Sequence, residues 1–372
     1  MTVTSQARKK ALSKKTAKRA DNNVYAAIDL GTNNCRLLIA RSSRKNFRVL
    51  DTFSRIVRLG EGLSQTGKLS EEAMRRTLTA LKICNSKLKR RGVTKLRCVA
   101  TEACRRAANG DDFIKRVKRE TGLDLEIIDN SEEASLAIMG CAPLLNPDLP
   151  EALIFDIGGG STEVSWIRQA DKESVPCNAN ADDAKPQMSQ SSQTSETSKQ
   201  IPPSAILPNP VMEDWYSVSK GVVTLAEKYG GRDITPETYQ KMVQEIYDDF
   251  LIFEEKHGFA QRVQDGTLQL LGTSGTVTTL VGVYKKLPRY DRNRVDGTLI
   301  NCDTAIGLCH KIAGMTYAQR VANPCIGSQR ADLVVAGCAI FEALAKLWPV
   351  AQLRVADRGL REGILYKLIN ED

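Results

Sequence analysis

Residues 154–166, IFDIGGGSTEVSW, set an Asp, three glycines, Ser, Thr and Glu between two apolar runs. Glycine inside a strand pattern costs backbone entropy and packs nothing, so a run of three marks a tight reversal or a close approach of backbone to something else. N–H groups left free in such a turn point into one concavity and suit phosphate oxygens. A plain hairpin turn has the same composition, so this loop alone leaves both readings open.

A second copy of the pattern lies 127 residues upstream. Aligning AAIDLGTNNCRLLIAR, residues 26–41, with LIFDIGGGSTEVSWIR, residues 153–168, superposes Asp29 on Asp156, Gly31 on Gly158, Asn34 on Ser161 and Arg36 on Glu163. Two strand–Asp–Gly–polar–strand hairpins in two halves of one chain predict a duplicated domain whose loops face each other across a cleft. A third glycine loop, GTSGT at 272–276, follows a strand and opens a helix, where free N–H groups and the helix dipole favour an anion.

Around these loops, strands alternate with helices. The run 71–91 has apolar residues at helical spacing, opens on Ser70 and ends on Gly92; KLRCVAT is a strand, LDLEIID another, and SEEASLAIMGCAPLL a helix. Thr235 and Pro236 start a further helix, and LRVADRGLREGILYKLI closes the chain as strand, turn and helix. Such alternation means an α/β fold with a largely parallel core.

The 372 residues suffice for two ordinary domains. No run approaches the ~18–20 apolar residues of a membrane span, and the N-terminus has no apolar signal core. Ten cysteines are scattered without a CxxC, which reads as reduced structural thiols in the cytosol. The net charge of +9 is concentrated at one end: residues 1–20 hold seven basic and no acidic side chains, leaving +2 on the other 352. Residues 81–119 hold thirteen Lys or Arg against Glu102, Asp111 and Asp112, an excess that suits an acidic substrate. Residues 170–210 are rich in Ser, Gln, Asn and Pro without one aromatic, a composition that cannot order itself by burial.

The facing hairpins and third loop resemble the actin-like phosphotransferase clan. The strings DLGTNNCRLLIA, ATEACRRAANG, EEASLAIMG, DIGGGSTE, SVSKGVVTLAE, GTSGTVTTL and ADRGLREGIL are together similar to the exopolyphosphatase and guanosine pentaphosphate phosphohydrolase family, in a short two-domain form. The resemblance implies two actin-like, ribonuclease H-like α/β domains with a central cleft, each a mixed sheet flanked by helices. Domain I is expected at 23–143 and domain II at 144–372, after a disordered basic tail at 1–22 and with a disordered insertion at 170–210. The implied activity is Mg²⁺-dependent hydrolysis of the terminal phosphoanhydride of polyphosphate, or of the 5′-γ phosphate of guanosine pentaphosphate. A cytoplasmic homodimer is expected, with no specific nucleic acid and no membrane as partner.

The same resemblance assigns roles. Glu133 matches the general base and Arg105 the substrate-phosphate arginine; Asp29, Asp156 and Glu163 hold Mg²⁺ or its waters, with Glu163 at the attacking water as well. Phosphate falls to Gly31, Thr32, Asn33 and Asn34 in the first loop, to Gly158, Gly159, Gly160, Ser161 and Thr162 in the second, and to Gly272, Ser274 and Gly275 in the third. Asn34 departs from the family, where Ser is frequent. Without the resemblance, Glu132 and Glu133 are first-turn acids that offset a helix dipole. His257 and His310 neighbour no glycine loop, which disfavours Ser-His-Asp and Cys-His hydrolysis. Two other readings stay open: an ATP-dependent kinase or ATPase of the same clan, and a catalytically silent sensor of polyphosphate or guanosine pentaphosphate.

Overall fold

The structure is a computed structural model that describes residues 23–43, 46–169 and 210–372. The expected basic tail and, but for its last residue, the expected insertion 170–210 lie outside the described residues. Two mixed sheets carry the fold. The first contains β1 (Val24–Leu30), β2 (Asn34–Ser43), β3 (Asn46–Ile56), β4 (Lys95–Ala100) and β5 (Glu126–Ile127), in the order β3-β2-β1-β4-β5. The second contains β6 (Glu151–Ile157), β7 (Thr162–Arg168), β8 (Val211–Val218), β9 (Leu268–Thr273), β10 (Leu299–Asn301) and β11 (Gln352–Ala356), in the order β10-β11-β9-β6-β7-β8.

The two orders are one pattern used twice. An antiparallel meander of three strands is followed by a strand parallel to the first of them, β4 on β1 and β9 on β6. The register repeats as well: Asp29 stands opposite Arg36 across β1 and β2, and Asp156 opposite Glu163 across β6 and β7. The duplication expected from the sequence is therefore present at single-residue resolution. The expected strand 123–129 shrinks to the two residues of β5.

Helices cover the sheets for the reasons their sequences suggest. In Glu71–Arg91, the apolar side of the helix buries Leu78, Leu81, Cys84 and Leu88, the Ser70 hydroxyl accepts from Ala73 N–H at 3.2 Å, and Gly92 ends the helix at φ 62°. The second sheet has the larger core, built around Phe155, Phe250, Phe341 and Trp348. The closing helix Leu360–Asn370 corrects the expected division, which assigns it to domain II. It packs on β1 of the first sheet, with Leu360, Ile364 and Leu365 against Tyr25, Ala27 and Leu38. There it crosses the helix Asn130–Cys141 so closely that a Cβ on Gly140 would strike the Gly359 carbonyl, and one on Gly363 the Leu136 carbonyl.

The basic stretch 81–119 also reads differently in three dimensions. Lys87, Arg90 and Arg91 converge on Asp51, Arg116 lies between Glu71 and Glu120, and Lys95 meets Asp372. Arg97 is shared by Glu126 and Glu132, while Lys118 pairs with Asp124. Much of the local excess of cations is thus answered by carboxylates, several of them brought from other segments. No helix among the described residues is long and apolar enough to cross a membrane.

Candidate active site

The first two glycine loops meet at the floor of a cleft of 490 Å³ between the sheets. Each is a tight turn closed in the same way: Gly31 N–H donates to Asn34 O at 2.9 Å, and Gly158 N–H to Ser161 O at 2.9 Å. That leaves the N–H groups of Thr32, Asn33, Gly159 and Gly160 without a partner among the described residues. The turns touch one another. A Cβ on Gly159 would stand 3.0 Å from Thr32 Cβ and 3.1 Å from Asn33 N, and one on Gly160 would stand 2.8 Å from Thr32 Oγ1. Gly159 and Gly160 are therefore needed because two backbone turns are pressed face to face, whereas a Cβ on Gly158 would stand 2.8 Å from Ser161 O of its own turn. Thr32 Oγ1 and Asn33 Oδ1 are buried there with no hydrogen-bond partner among the described residues, an arrangement that favours a ligand with polar atoms.

Carboxylates ring these turns. Asp29 and Asp156 end their strands beside the loops, and Glu133 and Glu163 stand on the same wall. Burial pushes the Asp156 carboxyl up to about 7, with Arg36 opposing and Asp29 adding to the rise. Asp29 is raised by the same burial, again opposed by Arg36. Burial also takes Glu163 to about 7, although Ser217 Oγ donates to its Oε1 at 3.1 Å. Glu133 is pushed well above the ordinary carboxylate range by burial and then by Glu163. A group that must accept a proton near neutral pH is tuned in this direction.

The structure separates two neighbours that the sequence places side by side. Glu133 faces the cleft, whereas Glu132 turns to Arg97 at 2.8 Å and Lys367 at 3.3 Å. Arg105 is not on the cleft wall. Its Nη1 donates to Ile128 O at 2.7 Å and to Glu133 Oε2 at 3.3 Å, and its Nη2 donates to Glu102 Oε2 at 2.9 Å. It thus backs the carboxylates of Glu102 and Glu133 and is not among the residues that line the cleft. Thr162 is also out of the cleft, its hydroxyl donating to Lys220 O at 2.8 Å. Gly272 lies inside β9, where a Cβ would run into the Phe155 ring. It is a packing glycine.

Ser274 and Gly275 do line the cleft, but Ser274 Oγ caps its own helix by accepting from Thr276 N–H at 3.1 Å and Val277 N–H at 3.4 Å. Those donors are not free for an anion. Both histidines are outside: His257 Nε2 is 2.8 Å from Asp214, and His310 Nε2 is 2.9 Å from Glu342. The nine described cysteines are unbridged and buried.

Asp29, Asp156 and Glu163 are expected to hold Mg²⁺ or its waters, and all three line the cleft, although no group of three or more His, Cys, Asp or Glu side chains among the described residues is gathered to hold a metal ion. The hard oxygens of Asp29 and Asp156 still fit Mg²⁺, which keeps most of its waters and needs only one or two carboxylates. Cations missed in the sequence complete the wall. Arg36, Arg330 and Arg361 line the cleft and form no ion pair among the described residues. Burial and then the Arg36 charge push Arg330 below the ordinary arginine range, so the two cations repel each other and an anion between them would relieve both.

Raised carboxyls carry a stability signature. Because the folded state holds the Asp156 proton up to about pH 7 and the unfolded chain releases it near pH 4, this contribution is full at low pH and is lost as pH rises through about 7. Asp156→Asn should therefore melt several degrees above the parent at about pH 8, and near it at about pH 4. Melting curves at both values check this, and a pH-independent gap contradicts it.

The likeness to known proteins covers nearly the whole chain. Exopolyphosphatase 2 of Mycobacterium tuberculosis is 28% identical over 358 residues, covering 92% of this chain and 98% of that one. The crystal structure of the Aquifex aeolicus member of the Ppx/GppA family superposes with a TM-score of 0.68 at 24% identity, over 94% of this chain and 99% of that one. An exopolyphosphatase from Cytophaga hutchinsonii superposes at 0.76 and 23% identity, over 94% and 98%. The fold is thus the actin-like one expected. The profile of the Ppx/GppA phosphatase family matches residues 38–177 and 206–372, well over half of the chain, and the chain is a member of that family.

Proposed function

We propose that this chain is an exopolyphosphatase, which removes the terminal phosphate of inorganic polyphosphate by direct attack of water. Guanosine pentaphosphate, with the same kind of terminal phosphoanhydride, is its second substrate. The observation that carries this reading is the pair of facing turns, each preceded by an Asp that lines the cleft, with Glu133 on the wall beside them. The name of the Mycobacterium tuberculosis relative supports it.

Hydrolysis at a terminal phosphorus needs the phosphoryl group held, its charge offset and a water aligned with the bond that breaks. The unpartnered N–H groups of Thr32, Asn33, Gly159 and Gly160 hold the phosphoryl oxygens, and Arg36 and Arg330 offset their charge. Glu133 takes a proton from the water as its oxygen bonds to phosphorus, and the bridging P–O bond breaks to release the shortened chain. Arg105 keeps the Glu133 carboxylate facing the cleft. Mg²⁺, when bound, supplies further charge neutralisation at phosphate, and Asp29 and Asp156 are the residues that would hold it.

Comparing kcat/KM for polyphosphate, guanosine pentaphosphate and ATP tests the reading. Polyphosphate is expected to lead, with ATP far behind. Equal turnover of ATP supports a kinase or ATPase instead, and tight binding of polyphosphate without phosphate release supports a sensor.

A further inference from the structure

Glu102 has no part in the reaction as described, yet it stands on the cleft wall beside both phosphate turns. It opens the short helix Glu102–Arg106 directly after β4 and is 6% exposed. Its Oε2 accepts from Arg105 at 2.9 Å, while its Oε1 has no hydrogen-bond partner among the described residues, with Arg106 Nη1 3.6 Å away. Its Cγ is 3.0 Å from where Gly160 would carry a Cβ, so the side chain rests on the second turn. A half-satisfied buried carboxylate next to a polyanion site is costly, and an uncharged side chain could fill the same place.

Arg105 supplies the reason. Its short contacts go to Ile128 O at 2.7 Å and Glu102 Oε2 at 2.9 Å, and its longer ones to Glu133 Oε2 at 3.3 Å and 3.4 Å. Without Glu102, the guanidinium would close on Glu133 as a tight two-point pair and occupy the oxygen that must meet water. We propose that Glu102 is a positioning residue that anchors Arg105, so that Glu133 is oriented by the guanidinium without being captured by it. This inference rests on Glu133 as the base. The contact with Gly160 keeps the anchor in place where the two turns meet.

Glu102→Gln keeps the volume and the contact with Gly160 but gives up the charge. It is expected to lower kcat for polyphosphate about tenfold with KM nearly unchanged, and Glu102→Asp should recover part of the loss. A double-mutant cycle separates this role from a purely structural one, because the effect runs through Arg105. In an Arg105→Met background, Glu102→Gln should cost little more. An equal loss with and without Arg105, or an unchanged kcat in folded Glu102→Gln, overturns the proposal. If Glu102→Gln fails to melt cooperatively, Glu102→Asp is carried through the same cycle and read in the same way. Glu133→Gln is measured alongside: if it is inactive while the cycle fails, only the role of Glu102 falls; if it is active, the base assignment itself falls.

Discussion

Glu133→Gln is expected to lower kcat for polyphosphate by about 10²–10⁴-fold while KM stays within a few-fold. The substitution keeps the shape of the side chain and its place beside Arg105 but removes the ability to accept a proton. Its neighbour supplies the control. Glu132→Gln removes the same charge from the same helix turn, yet Glu132 points to Arg97 and Lys367 and not into the cleft. A general loss of negative charge would affect both variants alike, whereas a positioned base separates them. Steady-state kinetics on both proteins, with melting curves to show that each is folded, decide the point. Turnover by Glu133→Gln within a few-fold of the parent contradicts the assignment.

Gly160→Val should be nearly as damaging, for a different reason. A Cβ at this position would lie 2.8 Å from Thr32 Oγ1 and 3.0 Å from Glu102 Cγ, so the two turns must separate to admit a branched side chain. Displacing a phosphate cradle by an ångström costs on the order of 10²-fold in rate, and here both kcat and KM should suffer because holding and alignment share the same backbone. The clash falls at the contact between the lobes and not within either core, so the variant should still melt cooperatively. Gly272→Ala is the informative comparison. It meets the Phe155 ring inside the second core, so it should cost stability, about 1–3 kcal/mol, with much less effect on turnover per folded molecule.

The contrast between those two glycines shows what the sequence makes legible. The paired hairpins could be read in advance because each carries its whole signal locally, down to the register that sets Asp29 opposite Arg36 and Asp156 opposite Glu163. Helix ends were readable for the same reason, as at Ser70 and Gly92 or at Thr235 and Pro236. Gly272 misled because a glycine in a strand has the same local appearance whether it faces a ligand or the flat ring of Phe155 on the neighbouring strand. Thr162 lies one residue past the second turn, and only the fold shows its hydroxyl directed at the Lys220 carbonyl.

Charge was the least legible property. Counting cations over 81–119 suggests a basic surface, but Asp51, Glu71, Glu126 and Asp372 reach them from other elements, and Glu120 pairs with Arg116 along one helix. The cations that do line the cleft come from widely separated places, Arg36 on β2, Arg330 ahead of the helix Val334–Leu347, and Arg361 on the closing helix. No local pattern joins them. The same holds for Arg105, whose partners Glu102, Ile128 and Glu133 place it behind the wall and not upon it.

The central claim is that water attacks at the terminal phosphorus, and that water and no second substrate takes up the phosphoryl group. Hydrolysis of polyphosphate in ¹⁸O-labelled water, with mass analysis of the released monophosphate, tests this most directly. The account predicts that the released monophosphate carries a solvent oxygen in every turnover, that the shortened polymer carries none, and that ADP added to the reaction receives no phosphate. Label in the shortened polymer, or phosphate transferred to ADP in place of release, would contradict it.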